Sequence, residues 1–104
     1  MKQSKLSREA IDEKLADLRK WRLSEDERGI RRELAFGNFV EAFSFMTQCA
    51  FAAEKLNHHP EWSNVYRRVD IYLTTHDVNG LSDLDFKLAA MFDRIADRFD
   101  GSGD

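Results

Sequence analysis

An α+β fold follows from three features of this 104-residue sequence. Runs that alternate apolar and polar residues come in pairs, runs with apolar residues at helical spacing separate and flank those pairs, and polar clusters mark the junctions. The predicted order is helix, two strands, helix, two strands, helix. Its two-layer solution, α-β-β-α-β-β-α, is a four-stranded antiparallel sheet with three helices on one face. The length argues for a single domain, 1–104, with one core.

Residues 1–6 are polar and expected to be disordered. Ser7 can cap a helix whose Ile11, Leu15 and Leu18 share one face, ending near Arg19. The run beginning Trp21-Arg22-Leu23 then alternates, residues 25–29 form a charged turn with Gly29 as its hinge, and Ile30, Leu34 and Phe36 lie opposite Arg31, Glu33 and Ala35. These are two antiparallel strands joined as a hairpin. Asn38 with Glu41 three residues on resembles a capping box and opens the longest helix, about 39–57.

That helix is apolar nearly all round. Phe39, Phe43, Met46 and Ala50 make one stripe, and Phe45, Gln48, Ala52 and Leu56 lie mostly on another. Such a helix is buried on both sides, here by the sheet and a partner subunit. The alternative is a central core helix flanked within one chain. After Pro60, residues 62–66 read as a short strand, and Val69, Ile71 and Leu73 alternate with Asp70, Tyr72 and Thr74 in a clear one, with a turn near Arg67-Arg68. Residues 77–80 form another turn. Ser82 and Asp85 make a second capping-box pattern, starting a helix that carries Leu84, Leu88, Met91, Ile95 and Phe99, before a tail at 100–104 expected to be disordered.

Eight Phe, two Trp and two Tyr are ample for a core and point to self-association. The net charge of −3 argues against nucleic acid or an anionic membrane as the main partner. Arg31-Arg32 and Arg67-Arg68 lie beside acids and read as solvated strand surface. Cys49, the single cysteine, cannot form an internal disulfide and reads as a buried small hydrophobe. No leader-like or bilayer-length apolar run is evident, so a soluble cytoplasmic protein is the expectation.

The chemistry concentrates in Glu54-Lys55-Leu56-Asn57-His58-His59-Pro60, which holds two of the three histidines and the only proline. Proline disfavours helical backbone at the preceding residue, so the helix should stop at about His58 and leave His59 extended. Both imidazoles can then converge on one pocket suited to proton transfer near neutral pH. Taken alone, the pair could also be a helix C-cap, His76 a strand-end surface residue, Asp85 only the cap partner of Ser82, Glu54 a solvated acid and Trp21 core.

The register of Glu54, His58-His59-Pro60, Tyr66, His76 and Asp85 resembles the signature of the pterin-4a-carbinolamine dehydratases, also known as dimerisation cofactors of a homeodomain transcription factor. Trp21, residues 43–47 (FSFMT), 53–56 (AEKL), 58–62 (HHPEW), 64–66 (NVY) and 81–82 (LS) extend the resemblance over nearly the whole chain. It implies dehydration of a 4a-hydroxytetrahydropterin to the quinonoid dihydropterin, recycling tetrahydropterin for aromatic amino acid hydroxylases. Positioned acid–base groups supply about 10²–10⁴-fold, and no metal or redox cofactor is implied.

By the same resemblance the catalytic residues would be His58, His59 and His76. His58 and His76 would form the acid–base pair, and His59 would orient the ring. Asn57, His58, His59, Thr74, Thr75, His76, Asp77 and Trp21 would bind substrate, supported by Glu54, Pro60 and Asp85. The i,i+4 spacing, apart from the resemblance, lets Glu54 reach His58 one turn on. Asn57 and Asp77 replace residues that are often Asp and Glu in family members. The resemblance also implies a homodimer or homotetramer built through helix 39–57 and a sheet edge. Two other readings are a metal site of Glu54, His58 and His76 and a non-catalytic dimerisation module acting through the apolar helix.

Overall fold

A computed structural model describes residues 3–99. Its order is α1 (Arg8–Leu15), β1 (Arg22–Leu23), β2 (Ile30–Ala35), α2 (Phe39–Leu56), β3 (Glu61–Val65), β4 (Arg68–Leu73), a 3₁₀ turn (His76–Val78) and α3 (Asp83–Ala96). The sheet is antiparallel throughout, in the order β1-β2-β4-β3. It is the predicted α+β fold. No helix among the described residues is long and apolar enough to cross a membrane.

Period-two burial divides the sheet into two faces. Ile30, Leu34, Val69, Ile71 and Leu73 are buried beneath the helices, together with Phe45, Leu88 and Phe92. The opposite face is polar and carries Arg31 over the Tyr72 ring at 5.0 Å. Arg32, expected on the solvated surface, shares the core face instead. It is 4 % exposed and bonds Asp93 of α3, which also accepts the Trp21 indole N–H at 2.8 Å. A guanidinium can sit there because the half-buried Asp93 carboxylate pairs with it.

Several boundaries differ from the sequence expectation. Helix α1 stops at Leu15, where i→i−3 bonds from Asp17 and Leu18 tighten the chain and carry Leu18 and Trp21 into the core. Strand β1 is only two residues long. Leu6, expected in a disordered segment, donates its amide to the Leu81 carbonyl at 2.8 Å and packs on the core. Residues 1–2 and 100–104 lie outside the described residues. Helix α3 ends at Ala96, three residues before Phe99, which still packs edge-on against Phe36.

The turns show which local chemistry was needed. Gly29 is not a hinge of positive φ. A Cβ there would fall 2.2 Å from Tyr72 Cζ, and Glu27 takes the left-handed position at φ 61°. The β3–β4 connection is Tyr66-Arg67, braced by Asn64 Nδ2 donating to the Tyr66 and Arg68 carbonyls. Helix α2 buries Ala42, Phe45, Cys49, Ala52 and Ala53 while leaving Phe39, Val40, Phe43 and Phe51 exposed. Within one chain, its outer face is uncovered.

Candidate active site

Antiparallel pairing assembles the site. Residues 57–60 immediately precede β3 and residues 74–77 immediately follow β4. The register Glu61↔Tyr72 through Val65↔Arg68 therefore returns the second segment to the first. One end of the hairpin holds the histidines and the other is the Tyr66-Arg67 turn.

Helix α2 delivers the histidine pair through a Schellman closure. Asn57 adopts the left-handed conformation (φ 49°, ψ 45°), its amide bonds to the Ala53 and Glu54 carbonyls, and the His58 amide donates to Ala53 at 3.0 Å. Asparagine tolerates this conformation better than most residues. The helix thus ends at Leu56, two residues before the expected stop, and the reversal at Asn57 sends His58 and His59 different ways.

His58 is buried, with Nε2 2.6 Å from Asp85 Oδ1 at the start of α3. His59 is exposed and pairs with Glu54 at 2.5 Å. Glu54 therefore serves His59, not His58 as the i,i+4 spacing suggested. That spacing joins side chains only while the helix continues, and Asn57 has already broken it. His76, exposed at the start of the 3₁₀ turn, pairs with Glu61 Oε2 at 2.9 Å. Each of the three imidazoles has its own carboxylate.

Asp85 makes two sets of contacts, one as a cap and one to an imidazole. Its Oδ2 accepts the Ser82 amide at 2.9 Å, completing the capping box, while Oδ1 faces His58. Thr75 Oγ1 also donates to Oδ2 at 2.7 Å and lies 2.7 Å from Ser82 Oγ. Thr74 Oγ1 donates to the Arg28 carbonyl at 2.5 Å, tying the site to the β1–β2 turn.

Asn57, His58, His59, Thr74, Thr75, His76 and Asp77 line one open cavity of about 570 Å³, joined by Gln3, Leu56 and Leu84. Pro60, half-buried, leads the chain from His59 into β3. Trp21 is elsewhere: it is buried in the core on Asp93 and does not line the cavity. It precedes β1, which β2 separates from β4, so the strand order keeps it from the histidine end. Glu54, His58 and His76 do not form a cation site, and no such cluster occurs among the described residues.

Sequence reasoning passed over Glu61 and Ser82 as site residues. Glu61 adjoins Pro60, but only the strand register brings it to His76. The Ser82 cap pattern was legible; its contact with Thr75 was not. The cavity thus gathers three imidazoles with leucine side chains among its lining.

A family model described as Pterin 4 alpha carbinolamine dehydratase matches residues 4–95. A protein of Sinorhizobium fredii, provisionally named a pterin-4-alpha-carbinolamine dehydratase, is 59% identical over 96 residues, covering 92% of this chain and 91% of its own. A crystal structure from Brucella melitensis, described as a transcriptional coactivator/pterin dehydratase, aligns with a TM-score of 0.87 and 43% identity, over 89% of this chain and 99% of that one. A pterin dehydratase-like protein, described as a RuBisCO assembly factor in the alpha-carboxysome, aligns with a TM-score of 0.65 and 23% identity, over 74% of this chain and 89% of that one. This last likeness shows the fold alone.

Proposed function

The chain belongs to the pterin-4-alpha-carbinolamine dehydratase family, and we propose on that footing that it dehydrates a 4a-hydroxytetrahydropterin to the quinonoid dihydropterin. The observation that carries this reading is the convergence of three histidines, each on its own carboxylate, around one open cavity.

In the proposed reaction the C4a–O bond breaks as an acid protonates the departing hydroxyl, the N5 proton passes to a base, and C4a=N5 forms. Water leaves, and no electrons are exchanged with a cofactor. His58 and His76 are the acid–base pair, while His59, held by Glu54, orients the ring. Asn57, Thr74 and Asp77 supply polar contacts around it. The product would re-enter tetrahydropterin recycling for an aromatic amino acid hydroxylase in the cytoplasm.

The protein works as a homo-oligomer in this reading. The exposed Phe39, Val40, Phe43 and Phe51 support an interface on α2, and the two-residue β1 leaves most of the β2 edge open to a second sheet.

Stopped-flow absorbance of 4a-hydroxytetrahydropterin decay tests the proposal. Wild type should accelerate decay by roughly 10²–10⁴-fold, and His58→Ala and His76→Ala should each lose most of that at unchanged oligomeric state. No acceleration by well-folded protein would sink the enzymatic reading. The uncovered α2 face and the coactivator description of the Brucella protein favour the second reading, a non-catalytic interaction module. In that case the two histidine variants would retain the biological role.

A further inference from the structure

We propose that Thr75 and Ser82 are positioning residues that act through Asp85 to fix the tautomer of His58. Only the consequence for rate rests on the dehydratase reading. Asp85 and Ser82 are wholly buried, Thr75 is 5 % exposed and His58 9 %. At this burial, the hydrogen-bonding inventory is set by the protein groups themselves.

The directions of the bonds follow from counting protons. Thr75 has one hydroxyl proton and donates it to Asp85 Oδ2. Towards Ser82 Oγ, 2.7 Å away, Thr75 can then only accept, so Ser82 donates. The Ser82 oxygen in turn accepts the Leu84 amide at 3.3 Å. Asp85 Oδ2 takes a second bond from the Ser82 amide, a group that can only donate. The chain therefore runs one way, from Leu84 N–H through Ser82 and Thr75 to Asp85.

A carboxylate has no proton to return. Its second oxygen, Oδ1, must accept from His58 Nε2, which therefore carries the hydrogen at 2.6 Å. Nδ1 is left as the lone-pair nitrogen of the neutral ring, and His58 lines the cavity. In that tautomer, neutral His58 can accept a proton at Nδ1 and cannot deliver one there. In the proposed reaction Nδ1 is then the ring nitrogen left to exchange a proton with substrate. Thr75, expected to contact substrate, has already spent its hydroxyl proton on this network.

Long-range ¹H–¹⁵N spectra of the histidine rings in unliganded protein test the assignment. At a pH where the ring is neutral, His58 should show a protonated Nε2 and a bare Nδ1. In Thr75→Val the Nε2–H population should fall and kcat should drop roughly tenfold, the scale on which a histidine's outer partners act in metal sites. Thr75→Ser should restore both, with His76 signals unmoved throughout. A wild-type His58 protonated at Nδ1, or a folded Thr75→Val with unchanged spectrum and rate, would overturn the proposal. A wild-type His58 protonated at Nδ1 overturns the proposal even where a variant fails to fold. Protein with the expected tautomer but no dehydratase activity would remove the proposed reaction and keep this assignment.

Discussion

Asp85 Oδ1 lies 2.6 Å from His58 Nε2, joining the first turn of α3 to the chain reversal that ends α2. One carboxylate thereby caps a helix and holds an imidazole. Asp85→Asn keeps the shape and removes the charge, so it separates the two duties. It should lower the dehydration rate by more than tenfold and stability by about 1–3 kcal/mol. Stopped-flow assay and urea unfolding check the two effects. Loss of stability at full activity would show that Asp85 is only a cap.

Asn57 tests the geometry of the reversal. Asn57→Gly accepts the left-handed backbone without strain and should leave stability within about 0.5 kcal/mol. Asn57→Ala should cost about 1 kcal/mol in thermal or urea unfolding. Any rate loss in the alanine variant should exceed that in the glycine variant, because a strained reversal misplaces His58 and His59 together.

Cys49 is wholly buried, and burial pushes its thiol above the ordinary range, outweighing the nearby Arg32 charge. The folded thiol then holds its proton where the unfolded one, with a pKa of about 8.5, releases it. This contribution to stability is full below about pH 8.5 and is lost as pH rises, at up to about 1.4 kcal/mol per pH unit. Urea midpoints at pH 8 and pH 10 should fall further in wild type than in Cys49→Ala. Iodoacetamide should label Cys49 only on unfolding, as read by intact mass.

Phe43 and Phe51 remain exposed on α2 despite their size. In the proposed oligomer this face is buried, so Phe43→Lys and Phe51→Lys should shift light-scattering mass to a smaller species. In a monomer the same changes should move stability by no more than about 0.5 kcal/mol and leave the mass unaltered.

Element identity was legible because it depends on neighbours in the chain. Ser7 and Ser82 cap their helices as the local pattern requires, and the alternation through Val69, Ile71 and Leu73 appears unchanged in the sheet. The lengths of α1 and β1 were less legible, since burial of Leu18 and Trp21 overrides the local helical pattern.

The α+β order, the spacing of the histidines along the chain and the family they point to are all legible from residues read in order. Tertiary structure decided which acid serves which histidine: Asp85 for His58, Glu54 for His59 and Glu61 for His76. It also put Trp21 and Arg32 together on Asp93 in the core. The reason is geometric. Helical and strand periods report which side chains share a face of one element, whereas these pairings depend on strand register, strand order and the reversal at Asn57. Those features join residues up to 72 positions apart.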